Sequence, residues 1–363
     1  LSEEEHAADW GTRIISSHSP TFGPEGFHFG SIWPLFTGWA SVGEYRYHAA
    51  AAGYANLRAN AWLALDGAGG NTTEVLSGMT YSPLSTASPH QIWSAAMVVS
   101  PILRGMLGLT TSSETGTVTL APHLPADWNT FAIHDLRAGA GTFDVKYDRT
   151  ADAIELEIKH SGEKDGTVEF QPAISLRAKV ISAELNGHGV PFHVAENGVD
   201  QHVIVHITAG SGSRKLRIRM RDDFGVSYRS QLPELGSTSV GLRIISESWA
   251  ASRDRLALTV SGVDGRTYEL ALRNAAQVSS VDGAELMRER DGSAKLRVVI
   301  PDHTEQNVAA RSNQDAAGIE PSSAGNDGRE ADGTSTKAWT RNRSEIVVHF
   351  GNRGGAAVSD RRQ

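Results

Sequence analysis

The segment from Gly69 to Val98 carries a single acidic residue, Glu74, among glycines, threonines and serines, and reads GGNTTEVLSGMTYSPLSTASPHQIWSAAMV. A loop of small residues can place a carboxylate in a cleft and leave space beside it for a water molecule, as a general base requires. A solvated glutamate on a surface loop would give the same pattern. Taken alone, the residues around Glu74 leave both interpretations open.

A second segment whose residues could form a binding site covers residues 9–39 and reads DWGTRIISSHSPTFGPEGFHFGSIWPLFTGW. The apolar face of a pyranose stacks on an aromatic ring while its hydroxyls bond to polar groups, so rings among glycines suit a sugar-binding cleft. A packed loop whose tryptophans belong to the core would explain the same composition.

Helical elements are expected to position these two segments. Apolar residues at helical spacing predict helices over 43–65 and 88–109, and a further helix is expected near 3–18. Ser88 is a suitable N-cap, and Pro101 is predicted to kink or break its helix.

From about residue 113 the apolar residues alternate with polar ones, which is typical of half-buried strands. Runs at Thr142–Tyr147 and Ala153–Lys159 flank a polar turn and predict a hairpin within an antiparallel sandwich. A second strand-rich module is predicted over about 236–350. Inside it, residues 303–337 are polar and almost free of aromatic residues, which predicts a flexible insertion.

Three short motifs resemble those of glycogen-debranching-type amylo-alpha-1,6-glucosidases. Trp10-Gly11-Thr12-Arg13 and residues 27–34, FHFGSIWP, resemble the family's W-G-x-R and Y-H-x-G-S-x-W-P elements. TEVLSG (73–78) resembles its P-E-L-x-x-G element, and SPHQIWSAAMV (88–98) its S-P-Q-A-W element. The resemblance covers about residues 9–110. Phe27, Thr73 and Ile92 depart from the usual tyrosine, proline and alanine, which bears on the substrate more than on the fold.

The resemblance implies an inverting glycosidase built on an (α/α)6 barrel. We therefore expect a multidomain α+β protein: the closing helices of such a barrel over 1–112, then two antiparallel β-sandwich-like domains over 113–225 and 226–363. Because the first residue is Leu1 and no signal peptide is evident, we interpret the chain as the C-terminal part of a longer protein.

Carried over residue by residue, the resemblance makes Glu74 the general base. It implies that His28 bonds to sugar hydroxyls, although a histidine satisfied by packing fits equally. Trp33 and Trp93 would line the substrate cleft, and Gln91 would support the loop that holds Glu74.

Inverting hydrolysis needs a second carboxyl that protonates the leaving oxygen, about 6.5–9.5 Å from the base. Glu25 and Glu44 are the other carboxyls near matched motifs. Glu44 is expected at a helix start, where a carboxylate is favoured by the helix dipole in any case. We therefore expect the general acid to be missing from this chain, and the chain alone to be inactive.

An alpha-glucosidic bond is the leading substrate, in an oligo- or polysaccharide. An alpha-L-rhamnosidase-like hydrolase is the second enzyme interpretation, and a related phosphorylase a third. In a different class, the chain is a non-catalytic carbohydrate-binding module.

The composition limits the kinds of molecule that the protein is expected to bind. The net charge is -8 and the pI about 6.0, which gives no electrostatic reason to expect nucleic acid or an anionic membrane surface. No apolar run approaches the roughly 20 residues that span a bilayer. The 363 residues include no cysteine, so disulfides and thiolate metal sites are excluded. We expect no metal and no cofactor, and both a cytoplasmic and a secreted bacterial location fit.

Overall fold

The structure, a computed structural model, describes residues 3–302 and 340–351. Strands make up 44% of these residues and helices 14%. The expected fold class is therefore wrong, because residues 1–112 do not form part of a helical barrel. The described part of this segment has three α-helices joined by long irregular loops. The predicted insertion, 303–337, lies outside the described residues.

Two helices replace the single one predicted over 43–65. The chain turns at His48, whose φ of +62° ends the helical path. Glu44 thus lies near the end of a helix and not at its start. The predicted kink at Pro101 is confirmed: Met97, four residues earlier, has non-helical angles (φ -84°, ψ 16°), and the helix changes to a π-helical turn (Pro101–Met106) at the proline. The helices are α1 (Pro34–Arg46), α2 (Ala50–Leu63) and α3 (Ile92–Ser100).

The helix expected near 3–18 is absent, and this prediction is wrong. The chain instead forms a two-stranded hairpin of β1 (Ala7–Ala8) and β2 (Gly11–Thr12). The cause is tertiary: Trp10 is fully buried, and the buried Asp9 carboxylate accepts hydrogen bonds from the backbone N–H groups of Val240 (2.7 Å) and Gly241 (2.9 Å). A surface helix would not hold both side chains in these positions.

Two sheets pack face to face after the helices, since Leu156 and Ile218 of one share a core with Val168 and Val205 of the other. The first has the order β11-β10-β14-β7-β6-β5. The second has the order β12-β13-β8-β4-β3, with β9 also paired to β13. The strands are β3 (Thr110–Ser112), β4 (Thr117–Leu120), β5 (Thr130–Ala138), β6 (Gly141–Arg149), β7 (Ala153–Ser161), β8 (Gly166–Phe170), β9 (Ala173–Ser175), β10 (Lys179–Leu185), β11 (His188–Gly189), β12 (His193–Glu196), β13 (Asp200–Ala209) and β14 (Gly212–Arg221).

The predicted hairpin over 142–159 is confirmed as the antiparallel pair β6–β7. Alternation explains these strands well: along β14 the buried residues Leu216, Ile218 and Met220 alternate with exposed arginines.

A second pair of sheets follows, with orders β15-β18-β21-β20 and β16-β17-β22-β19. Leu258 and Ile346 of one sheet share a core with Leu270 and Leu296 of the other. The elements are β15 (Gly225–Tyr228), β16 (Arg243–Trp249), β17 (Arg255–Val263), β18 (Thr267–Arg273), the 3-10 helix Ala275–Gln277, β19 (Val278–Asp282), β20 (Glu285–Arg288), β21 (Ala294–Val299) and β22 (Arg341–Phe350).

The three parts of the chain are packed against one another. Tyr45 and Tyr54 of the helices belong to the core of the first sheet pair. Between the two sheet pairs, the buried Asp223 accepts hydrogen bonds from Arg149 (2.7 Å) and Arg273 (3.1 Å). The boundaries at 112 and 225 stay predictions. No helix within the described ranges is long and apolar enough to cross a bilayer.

Candidate functional site

Glu74 lies in an extended loop that pairs with the loop after it. Its N–H donates to Ser88 O (2.9 Å), and Ser88 N–H donates to its Oε2 (3.1 Å). The side chain is half-buried. Within the described ranges no hydrogen bond reaches its other oxygen, Oε1. The carboxylate is thus fixed through one oxygen and has the second available for a ligand.

The segment just after Glu74 is held by two residues of the first matched motif. Trp10 Nε1 donates to Ser77 O (2.8 Å), and Arg13 Nε donates to Gly78 O (2.6 Å). Gly78 also passes close to Gly30, where a Cβ would lie 2.0 Å from the carbonyl oxygen, so only glycine fits. Burial lowers the pKa of Arg13 to about 10, and the guanidinium stays charged at neutral pH.

Trp33 connects the loop of Glu74 to the surface. It packs against Val75, the residue after Glu74, and is only 6% exposed. Its Nε1 donates to Phe27 O (3.0 Å) and Ser31 Oγ (3.1 Å). The exposed His28 stacks on the Trp33 ring, with centroids 5.7 Å apart and planes 10° apart.

A row of rings continues from Trp33 along α1. Phe36 lies 5.7 Å from Trp33, and Trp39 lies 5.4 Å from Phe36, measured between ring centroids. Trp39 is 55% exposed. We call His28, Trp33, Phe36 and Trp39 the aromatic row. Phe36 and Trp39 were not among the predicted site residues, although the spacing of three residues between Trp33, Phe36 and Trp39 indicates a shared helix face.

Gln91 and Trp93 lie at the start of α3. Gln91 is its N-cap: its Oε1 accepts from Ile92 N–H (3.1 Å), and its own N–H donates to Thr72 O (2.9 Å), two residues before Glu74. Trp93 is 41% exposed and makes no ring contact with the aromatic row in the part of the chain that the structure describes. The fold therefore brings Glu74, Trp33 and Gln91 to one loop system, and leaves Trp93 beside it on α3.

A cavity of about 680 Å³ lies elsewhere, between the helices and the two sheet pairs. Glu44, Tyr54, Glu247 and Trp249 are among its lining residues. Glu74 lines neither this cavity nor the two others described, of about 1460 and 320 Å³.

Two carboxyls of the 680 Å³ cavity, Glu44 and Glu247, have pKa values raised to about 7, and burial also raises the pKa of Glu3 in the same lining. Burial raises the pKa of Glu44 to about 7; hydrogen bonds from Asn56 oppose the rise and the charge of Glu3 adds to it. Burial, followed by the charge of Asp200, raises the pKa of Glu247 to about 7. Neither Glu44 nor Glu247 was a predicted site residue, because burial in a cavity between distant segments leaves no local sequence pattern.

Beside this cavity, His48, His123, Asp200 and His202 form what we call the histidine cluster. Asp200 Oδ1 lies 3.3 Å from His48 Nδ1 and 3.7 Å from His202 Nε2, and its Oδ2 lies 3.0 Å from His123 Nδ1. Burial works to raise the pKa of Asp200, but the neighbouring His123 and His202 outweigh it and hold that pKa well below its usual range. Three of its members, His48, Asp200 and His202, form the one group of donors within the described ranges that is spaced to hold a metal ion.

No protein-family model and no curated protein matches the chain. Two solved structures that resemble parts of it are glycoside hydrolases. The first is an alpha-L-rhamnosidase from Dictyoglumus thermophilum, which is 14% identical to this chain with a TM-score of 0.28. The match covers 39% of this chain and 16% of the rhamnosidase chain. The second is Ara127N-Se, a GH127 beta-L-arabinofuranosidase from Geobacillus Stearothermophilus T6, which is 9% identical to this chain with a TM-score of 0.35. The match covers 82% of this chain and 52% of the arabinofuranosidase chain. Both TM-scores are too low to establish a shared fold.

Proposed function

We propose that this chain is part of a glycoside hydrolase in which Glu74 is the general base and the aromatic row binds sugar. The arrangement around Glu74 supports this most. One carboxylate oxygen accepts a hydrogen bond from Ser88 N–H, and the other has no partner among the described residues. Trp33 packs against the next residue, Val75.

In the proposed reaction, Glu74 takes a proton from a water molecule, and the water oxygen attacks the anomeric carbon. The bond from that carbon to the leaving oxygen breaks with its electron pair going to the oxygen, which then needs a proton. An acid supplies this proton in inverting enzymes. Neither Glu44 nor Glu247 shares a described cavity with Glu74, so we assign the acid to neither.

Sugar binding would use the exposed faces of the row. Trp39 and His28 present rings to solvent, and Trp33 is fixed between them by its two Nε1 hydrogen bonds. Rigid aromatic platforms bind a pyranose face with little loss of side-chain entropy. An alpha-glucosidic substrate with inversion is the leading proposal, and an alpha-L-rhamnoside is the second.

Glycosyl fluorides test the base without the need for a general acid, because fluoride leaves without being protonated. The full chain should release fluoride from alpha-glucosyl fluoride above the spontaneous rate, and proton NMR should show the beta anomer forming first. Glu74→Gln keeps the acceptor for Ser88 N–H and should lower the rate by about 100-fold or more. The matched control is Glu25→Gln, an exposed loop glutamate, which should leave the rate unchanged.

Equal rates for the wild-type chain and Glu74→Gln would refute the role of Glu74. Comparing the fluorides of alpha-glucose and alpha-L-rhamnose separates the two substrate proposals. If no fluoride is hydrolysed but malto-oligosaccharides bind in calorimetry and Trp39→Ala abolishes binding, the chain is a carbohydrate-binding module and not a hydrolase.

A further inference from the structure

We propose that His48, Asp200 and His202 bind a divalent cation of the zinc class, with His123 orienting Asp200. The proposal is independent of the proposed glycosidase function, and it goes against the sequence expectation of no metal. Asp200 and His202 belong to β13, whereas His48 lies in the connection between α1 and α2. A cation here would therefore link the helical segment to the first sheet pair.

The ligand atoms are already close to the spacing that a metal requires. A tetrahedral ion with bonds of about 2.0–2.1 Å places its ligand atoms about 3.3 Å apart. His48 Nδ1 lies 3.3 Å from Asp200 Oδ1, and His202 Nε2 lies 3.7 Å from the same oxygen. All three atoms lie within 4.8 Å of one another. A small inward movement of the two rings would complete the geometry.

The tautomer of His202 suits a ligand. Its Nδ1 lies 2.7 Å from Gln171 O, and since a carbonyl only accepts, Nδ1 carries the proton. Nε2 of the neutral ring then presents its lone pair to the cluster, where it is buried and has no hydrogen-bond partner among the described residues. Metal-bound histidines commonly donate their other N–H to a backbone carbonyl in this way.

Asp200 is a buried anion that lacks a strong cation. Its side chain is only 7% exposed, and within the described ranges its ion-pair partners are histidines, with no lysine or arginine among them. A buried carboxylate needs a compensating positive charge. His123, 3.0 Å from Oδ2, can fix the carboxylate so that Oδ1 faces His48 and His202.

Asn197 indicates where the cation would lie. Its Nδ2 is 2.8 Å from His48 Nδ1 and also bonds to Asp200 Oδ1, so one N–H donor group bridges two of the proposed ligands. The orientation of the amide is fixed, because its Oδ1 accepts from the N–H groups of Val199 (3.1 Å) and Asp200 (3.0 Å). A bound cation would displace this amide nitrogen and take over both of its contacts.

An ion can reach the cluster from either side. His48 and His123 line both the 680 Å³ and the 320 Å³ cavities; Asp200 lines the first and His202 the second. Two imidazoles with one carboxylate are a donor set that zinc favours over calcium or magnesium, which prefer oxygen ligands. Solvent from the cavities would complete the coordination.

The test uses the full chain without a histidine tag. Calorimetry should show one equivalent of Zn²⁺ bound with an affinity that falls about 100-fold or more in His48→Ala and His202→Ala, and about 10–100-fold in His123→Gln. His134→Ala is the matched control, because His134 faces Asp144 at 3.7 Å in an exposed pair and should bind Zn²⁺ like the wild-type chain. Co²⁺ should give the intense visible bands of low-symmetry coordination, and His48→Ala should lose them.

Asn197→Asp separates a metal site from a hydrogen-bond network. The aspartate retains the acceptor for Val199 and Asp200 but presents a carboxylate oxygen to the cluster in place of the N–H donor. A metal site predicts at least about tenfold tighter Zn²⁺ binding and a Zn²⁺-dependent rise in melting temperature. A destabilised variant that Zn²⁺ does not rescue would overturn the proposal, as would equal Zn²⁺ binding by the wild-type chain, His48→Ala and His202→Ala.

Discussion

Replacing Glu44 by glutamine should make stability less dependent on pH. Glu44 is half-buried on α1, and Asn56 Nδ2 donates to both carboxylate oxygens, at 3.1 and 2.9 Å. Burial is the main reason why its pKa rises from 4.5 to about 7. The folded chain therefore retains a proton on Glu44 at a pH at which the unfolded chain has released it.

The direction of the pH dependence of stability follows from this difference in pKa between the folded and unfolded chain. Below pH 4.5 Glu44 is protonated in the folded and the unfolded chain, and it has no effect on the pH dependence of stability. Between pH 4.5 and 7 the free energy of unfolding falls as the pH rises. Above pH 7 the full cost of burying the ionised carboxylate is present. The interval from 4.5 to 7 corresponds to about 3 kcal/mol, most of which is lost between pH 5 and 8. Glutamine removes this loss but gives up one hydrogen bond from Asn56, worth about 1 kcal/mol.

Glu44→Gln should therefore match the wild-type chain at pH 5 and exceed its free energy of unfolding by about 2 kcal/mol at pH 8. Urea unfolding followed by circular dichroism at the two pH values measures this difference. Glu269→Gln is the control: that side chain is 50% exposed and paired with Lys295, so the substitution should change the free energy of unfolding by less than about 1 kcal/mol at both pH values. A difference between Glu44→Gln and wild type that is the same at pH 5 and 8 would show that burial does not raise the pKa of Glu44.

Two further predictions concern stability and are checked by the urea midpoint at pH 7. Asp9→Ala should lower the free energy of unfolding by about 3–5 kcal/mol, because it leaves the buried Arg243 without its carboxylate, 3.1 Å away; a loss below 1 kcal/mol would contradict this. Gly38→Ala should destabilise by about 1–3 kcal/mol, because its Cβ would lie 2.4 Å from Met97 Cβ where α1 crosses α3. On the same helix, Gly43→Ala meets no atom within 4 Å and should stabilise by up to about 1 kcal/mol; equal effects of the two alanines would refute the packing explanation.

Local sequence patterns predicted the strands after residue 113 better than the helices before it. The pair β6–β7 formed where alternation and a polar turn predicted it, and the helix that contains Pro101 is kinked four residues before the proline, at Met97. Both are determined by residues close in sequence: side chains of alternating polarity need a half-buried strand, and a proline lacks the N–H of a helix interior. The predicted helix near 3–18 failed because burial of Asp9 against residues 239–241 is a long-range contact.

The fold class was predicted from motifs that cover about 100 residues, and it was wrong. The described part of residues 1–112 has irregular loops where a barrel would need further helices. Several motif residues have structural roles that explain their types without a barrel. Trp10 and Arg13 bond to the carbonyls of Ser77 and Gly78, and Gly78 permits the close approach of Gly30. Such a set of contacts defines a loop arrangement but does not specify which larger fold contains it.

The two candidate sites differ in how far sequence could predict them. Glu74, Trp33 and Gln91 lie within about 60 residues and are joined by short backbone pairings, so motifs in chain order could bring them together. The histidine cluster joins His48 to Asp200 across about 150 residues, and no spacing rule for metal ligands covers that separation. The backbone of His48 nevertheless has a φ of +62°, a conformation that costs a non-glycine residue energy and that turns the chain between α1 and α2 beside β13. A bound cation would stabilise that turn, so the metal site proposed for His48 would offset the cost of its backbone conformation.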